Sequence, residues 1–420
     1  MAKGFNDLDQ IQKQDNNKRI IFSIIAMLLI TTVVIVILFV MKDSYDRRNT
    51  PSQTESEQSD LTSSTDSSTD GVSSEESSDT AFQDTSSEQS DASSDTSSEE
   101  SSDTSSDDGA DKLEHGWVVN SLGYTYLYYD RGLEQFTVTT NVRNSYIETI
   151  NKLKSSLGSV RFYHMLVPTQ VEFMDIPLAT IQEDNFYNSL QQSFISTVSE
   201  YLSEGITDVN IYDSMKTAFE NDDYVYFRTD INWTALAAYK AYCDFASAAS
   251  FTPQASDIYP QKTYENFLGR FHTATNAQIL KDNADTIVYY DVDSVNECDV
   301  TMYGSSGSVY TNRRLTYSEV SDTSNGYNVF LGADAARFKI TTQQNNGKRI
   351  LVIGDTSAKP FVAFLTSEYQ EIHLVNPQYY KGNIAQFAAE NGITDVLVMS
   401  YTTNASKLFY QGYFENLYAN

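Results

Sequence analysis

Residues 349–361 read Arg-Ile-Leu-Val-Ile-Gly-Asp-Thr-Ser-Ala-Lys-Pro-Phe (RILVIGDTSAKPF). A short apolar run that ends in Gly-Asp-Thr-Ser and then meets proline has the pattern of a buried strand turning directly into a helix. The same alternation continues downstream. A helix is expected from about Pro360, a strand over 371–375 (EIHLV), a helix over 384–391 and a strand over 395–400. A β-α-β-α-β series with near-continuous apolar strands predicts a parallel sheet covered on both faces, with any site at the C-terminal ends of its strands. The fold class is therefore α/β.

Upstream, residues 117–129 (WVVNSLGYTYLYY) carry the β-branched and aromatic content of strands, and 160–167 (VRFYHMLV) reads as a buried strand. Helices are expected over 141–157 and 186–202, with a short strand over 209–212. Residues 233–249, rich in alanine and free of Gly and Pro, form the best-defined helix. Residues 284–342 read as an antiparallel meander peripheral to the main sheet.

The N-terminal quarter is of a different kind. Residues 20–41 are apolar apart from Ser23, Thr31 and Thr32, long enough to cross a hydrocarbon core of about 30 Å as a helix. The flank that follows, with Lys42, Arg47 and Arg48, does not suit a cleavage site. Residues 51–111 hold 18 Asp and Glu and no Lys or Arg, with almost nothing to bury; SSEESSDT occurs at both 73–80 and 97–104. Such a segment is expected to be a disordered spacer reaching between roughly 45 Å and roughly 200 Å. The expected organisation is a cytoplasmic tail (1–19), a membrane helix (20–41), an acidic stalk (42–112) and an extracellular domain (113–420) on the cell membrane.

Residues 113–420 carry 20 Lys and Arg against 34 Asp and Glu, within a net charge of −29 for the whole chain. This balance argues against nucleic acid or anionic lipid as partners and favours neutral or cationic ligands. Two cysteines, Cys243 and Cys298, are too few to build the fold; they either pair or serve as core thiols. No closely spaced His or Cys pair and no glycine-rich phosphate loop occurs, so neither a metal nor a cofactor is expected. His164 and His373 fall within strand patterns and read as core residues.

Two segments carry candidate chemistry. At the first turn, Asp355, Thr356 and Ser357 place hydroxyls beside free backbone N–H groups, which suits an acyl-transfer nucleophile next to its oxyanion donors. It equally suits an ordinary helix N-cap. The second segment, 228–242 (RTDINWTALAAYKAY), sets Arg228, Asp230 and Asn232 ahead of Trp233. It resembles the R-T-D-H-H-W-T signature of the DHHW family of bacterial surface proteins. Supporting matches are MLVPT (165–169), YNVFLG (327–332), KRILVI (348–353), EIHLV (371–375), YYKG (379–382) and ENGITDVL (390–397), so the resemblance spans about 116–401.

That family is similar to SGNH hydrolases and to the proteins that O-acetylate alginate. The resemblance implies a three-layer SGNH-like fold and an acyl-transfer triad, with Arg228, Trp233 and Asp355 as binding residues. By position, Asp230 is the orienting carboxylate, Asn232 stands where the general-base His belongs, and Thr356 stands where the Ser belongs. Ile231 replaces the other His. An amide has no basic nitrogen near neutral pH, and a threonine adds a methyl beside its hydroxyl.

The expectation is a catalytically degraded relative of polysaccharide O-acetyltransferases, binding either a cell-wall or surface polysaccharide or a membrane-bound O-acyltransferase. The alternative is an active O-acyltransferase or esterase using Thr356 or Ser357. The tyrosines of 124–129 either stack on sugar rings or divide between core and surface.

Overall fold

The computed structural model describes residues 115–418 apart from 121, 122, 321 and 322. The expected tail, membrane helix and stalk lie outside the described residues. Among the described residues, no helix is long and apolar enough to cross a membrane.

The chain opens with a three-stranded antiparallel sheet of β1 (His115–Asn120), β2 (Gly123–Tyr128) and β3 (Arg131–Leu133). Helix α1 (Thr140–Ser156) leads to β4 (Arg161–Val167), then α2 (Leu178–Asp184), α3 (Gln191–Tyr201), β5 (Ile206–Asp208), α4 (Tyr212–Glu220) and α5 (Ala235–Ala249). A hairpin of β6 (Gln261–Phe267) and β7 (Asp285–Tyr290) encloses the short helix α6 (Arg270–Thr275). Strands β8 (Cys298–Tyr303), β9 (Val309–Arg313) and β10 (Arg337–Thr342) follow. The chain closes with β11 (Arg349–Gly354), α7 (Ala358–Phe364), β12 (Glu371–Val375), α8 (Ile384–Glu390), β13 (Asp395–Tyr401), α9 (Thr402–Ala405) and α10 (Leu408–Tyr418).

The central sheet has eight strands in the order β5-β4-β13-β11-β12-β10-β8-β9. The first five are mutually parallel. Beyond β12 the remaining three run antiparallel. The 284–342 region was expected to be peripheral, but β10 pairs directly with β12, so most of it extends the main sheet. The alternating burial of β10, with Phe338 and Ile340 inward, suits a sheet half-covered at its edge.

Strand β11 is buried on both faces. Ile350 and Val352 join one core with α5 and α7, while Leu351 and Ile353 join another with α1, α3 and α10. The pleat thus divides two helical layers about one sheet. On α5, Ala238, Ala241, Tyr242 and Phe245 make the buried stripe, and the Thr234 hydroxyl caps the helix by accepting from Ala237 N. Two expectations shift. The 209–212 strand is β5 at Ile206–Asp208, and the 186–202 helix begins only at Gln191, with Phe186 buried ahead of it. Cys243 and Cys298 are unpaired and half-buried against the core.

His164 and His373 are both buried. His373 Nδ1 lies 3.2 Å from the Arg337 guanidinium and its Nε2 lies 2.7 Å from Glu371 Oε1. The neutral tautomer accepting from Arg337 and donating to Glu371 satisfies both contacts. Burial holds the imidazole down at about 4, against the raising effect of Glu371. A depressed pKa stabilises the fold above the ordinary histidine range, and that stability is lost as pH falls through the folded value. Between pH 6.5 and 4 the term is worth about 3 kcal/mol. Asp230 and Asp355, pushed up by burial, contribute the opposite slope. Denaturant titrations of the unaltered chain beside His373→Gln isolate the histidine: the difference in stability between the two should fall with pH across this window.

Candidate active site

The turn after β11 stands at the C-terminal edge of the parallel strands, where the pattern of apolar runs placed it. Asp355 is buried, and its carboxylate gathers the turn. Oδ1 accepts from Ser357 N (3.0 Å) and Ser357 Oγ (2.5 Å). Oδ2 accepts from Tyr401 N (3.0 Å), Asn404 Nδ2 (2.8 Å) and, more distantly, Tyr410 OH (3.4 Å). Ser357 is fully buried by this arrangement and caps nothing with its side chain. It was a candidate nucleophile; its hydroxyl is spent on Asp355. Of the turn's two hydroxyl residues, Thr356 is the one that lines the adjoining groove.

The second segment meets this turn from the opposite side. The bridge between Tyr226 and Trp233 folds residues 227–232 into a tight loop. Asn232 Oδ1 accepts from Thr356 Oγ1 at 3.1 Å. Asn232 Nδ2 and N both donate to Asp230 Oδ1, at 2.5 and 2.8 Å. Arg270 N donates to Asp230 Oδ2 at 2.7 Å. Burial pushes the Asp230 carboxyl up, while those donors pull it back. Gly269 is required here, because a Cβ at that position would collide with the Asp230 carboxyl. Tyr401 joins both segments: its hydroxyl accepts from Trp233 N at 2.9 Å, while its own N–H reaches Asp355.

Thr356, Asn232 and Asp230 therefore form one line of hydrogen bonds. The amide oxygen takes the place of an imidazole acceptor and the amide NH2 that of the imidazole N–H facing a carboxylate. The three groups stand in the order of a nucleophile, base and acid, with no basic nitrogen among them. No histidine lines the groove. His115 faces Asp184, and His164 faces Tyr146 and Asp208. Lys359 is buried, with burial pulling its pKa down; its Nζ partners are Gly332 O, Asn328 and Asp334. Among the described residues, no group of three His, Cys, Asp or Glu side chains is placed to hold a metal ion.

Two expected binding residues are struts instead. Arg228 donates to Asp285 and lies 3.8 Å from Asp130, outside the groove. Trp233 is fully buried with Nε1 donating to Ser357 O at 3.1 Å, so it braces the helix start. The groove, about 380 Å³, is lined instead by Ile231, Arg270, Asp334, Asn376, Lys407 and Phe409, with tyrosines at 379, 401, 410 and 413. Sequence reading singled out Ile231 and missed the others, because they come from separate stretches of the chain. The Gly269-Arg270 pair, a lone glycine ahead of a cation, was the available hint.

Fold and site together define a three-layer α/β domain with a hydroxyl-amide-carboxylate line at the strand ends. The family model of the DHHW protein matches residues 64–375, and the chain belongs to this family. Among solved structures it is similar to a DHHW family protein from Eubacterium siraeum, at 24% identity and a TM-score of 0.63 over 73% of this chain and 100% of that one. It is also similar to Bacillus cereus PatB1 with a sulfonyl adduct, at 18% identity and a TM-score of 0.57, over 72% and 98% of the two chains. A search of curated proteins finds no match.

Proposed function

We propose that this is a polysaccharide-binding protein with an SGNH-like, O-acetyltransferase-like scaffold that has given up its own catalysis. It acts at the outer face of the cell membrane, tethered through 20–41 and the acidic stalk, with a membrane-bound O-acyltransferase as a further partner. The observation that carries this reading is the 3.1 Å hydrogen bond from Thr356 Oγ1 to the Asn232 amide oxygen. To acylate Thr356, its proton must go to a base as the acyl carbon is attacked, and an amide oxygen does not take it near neutral pH. Asp230 sits behind the amide, with both oxygens engaged by N–H donors. The groove's mixture of tyrosine rings, amides and charged groups suits a polyhydroxylated ligand.

The test uses the full chain with p-nitrophenyl acetate and with a sulfonyl fluoride label, beside Thr356→Ala and Ser357→Ala. The expected result is hydrolysis no faster than in Thr356→Ala, no labelling, and retained binding to isolated wall polysaccharide. Hydrolysis abolished by Thr356→Ala, or labelling at Thr356, would establish the active O-acyltransferase or esterase instead.

A further inference from the structure

Glu134 lies on the wall of two depressions at once. One is the groove at Thr356; the other is an open hollow of about 700 Å³ whose lining includes Trp117, Val119, Tyr124 and Asp184. The Glu134 carboxylate accepts from Lys407 Nζ at 2.8 Å, and Lys407 also lines the groove. This ion pair thus stands where the two hollows adjoin.

Aromatic rings stand on both sides of it. On the groove side Phe409 is 64% exposed and meets Tyr413 edge-on at 6.2 Å. On the hairpin side Tyr124 is 74% exposed and pairs in register with exposed Val119 across β1 and β2. Trp117 is held beside them, its ring edge-on to Tyr126 and Phe186 and its Nε1 donating to Asp184 O at 2.7 Å. A ring so fixed loses little freedom on binding. Exposed rings at both ends and charged or amide groups between them match a chain of pyranose units, each with an apolar face and a hydroxyl rim. At about 380 Å³ the groove is near the small end of the range of ligand cavities.

We infer that the β1–β2 hairpin carries a second sugar subsite, so that one linear neutral glycan runs from Thr356 across the Glu134–Lys407 pair to Tyr124. The inference rests on the glycan-binding reading above and adds its length and path. Neutral rather than anionic glycan follows from Glu134, Asp184, Asp334 and Asp355 along the path against Arg270 and Lys407.

The experiment titrates the full chain calorimetrically with chito- and cello-oligosaccharides of two and six residues, and with hexagalacturonate as the anionic control. At least one neutral hexamer should bind about tenfold or more tighter than its dimer. Tyr124→Ala should erase that gain and leave the dimer unchanged, Tyr124→Phe should keep it, and Phe409→Ala should weaken both lengths. Tyr124 is exposed, so its loss leaves the core intact. Equal affinity for dimer and hexamer, or a hexamer indifferent to Tyr124→Ala, overturns the inference and leaves the glycan-binding reading standing. Binding of no neutral probe overturns that reading as well; preference for hexagalacturonate overturns the assignment of a neutral ligand.

Discussion

An Asn232→His, Thr356→Ser double variant should hydrolyse p-nitrophenyl acetate at least about a hundredfold faster than the unaltered chain, the lower end of what a positioned general base contributes. The geometry for this is in place. Asn232 already receives the Thr356 hydroxyl at 3.1 Å and already donates to Asp230. A histidine there would turn one nitrogen to the nucleophile and give its other N–H to a carboxylate that is buried and fixed by Arg270 N. As the imidazole gains its proton, the nearby carboxylate stabilises the charge. Serine removes the methyl that stiffens the side chain at 356.

Thr356→Ser alone should stay at the unaltered rate, because it still lacks a base. The double variant's rate should rise with pH through the ordinary histidine range. Adding Asp230→Asn should depress it again. Initial rates for this series decide the matter: a double variant no faster than the unaltered chain would mean that the hydrogen-bonded line does not preserve catalytic geometry.

Asp355→Ala is expected to cost the domain about 3 kcal/mol of unfolding free energy, because a buried donor left without an acceptor costs about 1–3 kcal/mol and several are stranded at once. The carboxylate accepts from Ser357 N and Oγ, from Tyr401 N and from Asn404 Nδ2. Truncation strands these donors, and the two on fully buried Ser357 have no water to turn to. Ser357→Ala should cost only about 1 kcal/mol, the usual net value of one hydrogen bond. Urea titrations of the two variants provide the comparison, and equal losses would contradict the central role given to Asp355. The same carboxylate ties the turn bearing Thr356 to β13 and α9, so the variant should also weaken glycan binding.

What could be read from the sequence had a short range. The apolar run 349–354, the alanine-rich helix before Ser250 and the strands at 371–375 and 395–401 each declare themselves, because burial of a strand or one face of a helix leaves its period in neighbouring residues. That Asn232 carries no basic nitrogen was equally plain, whatever surrounds it. Tertiary structure alone decided the rest. It set Thr356 on the groove wall and buried Ser357 against Asp355. It turned Arg228 and Trp233 into struts, joined the meander to the sheet through β10 and β12, and brought Glu134 to Lys407 across most of the domain. Periodicity records how buried a segment is. It does not record which distant segment covers it, and that pairing sets the groove's composition and puts Glu134 on the wall of both the groove and the hollow at Tyr124.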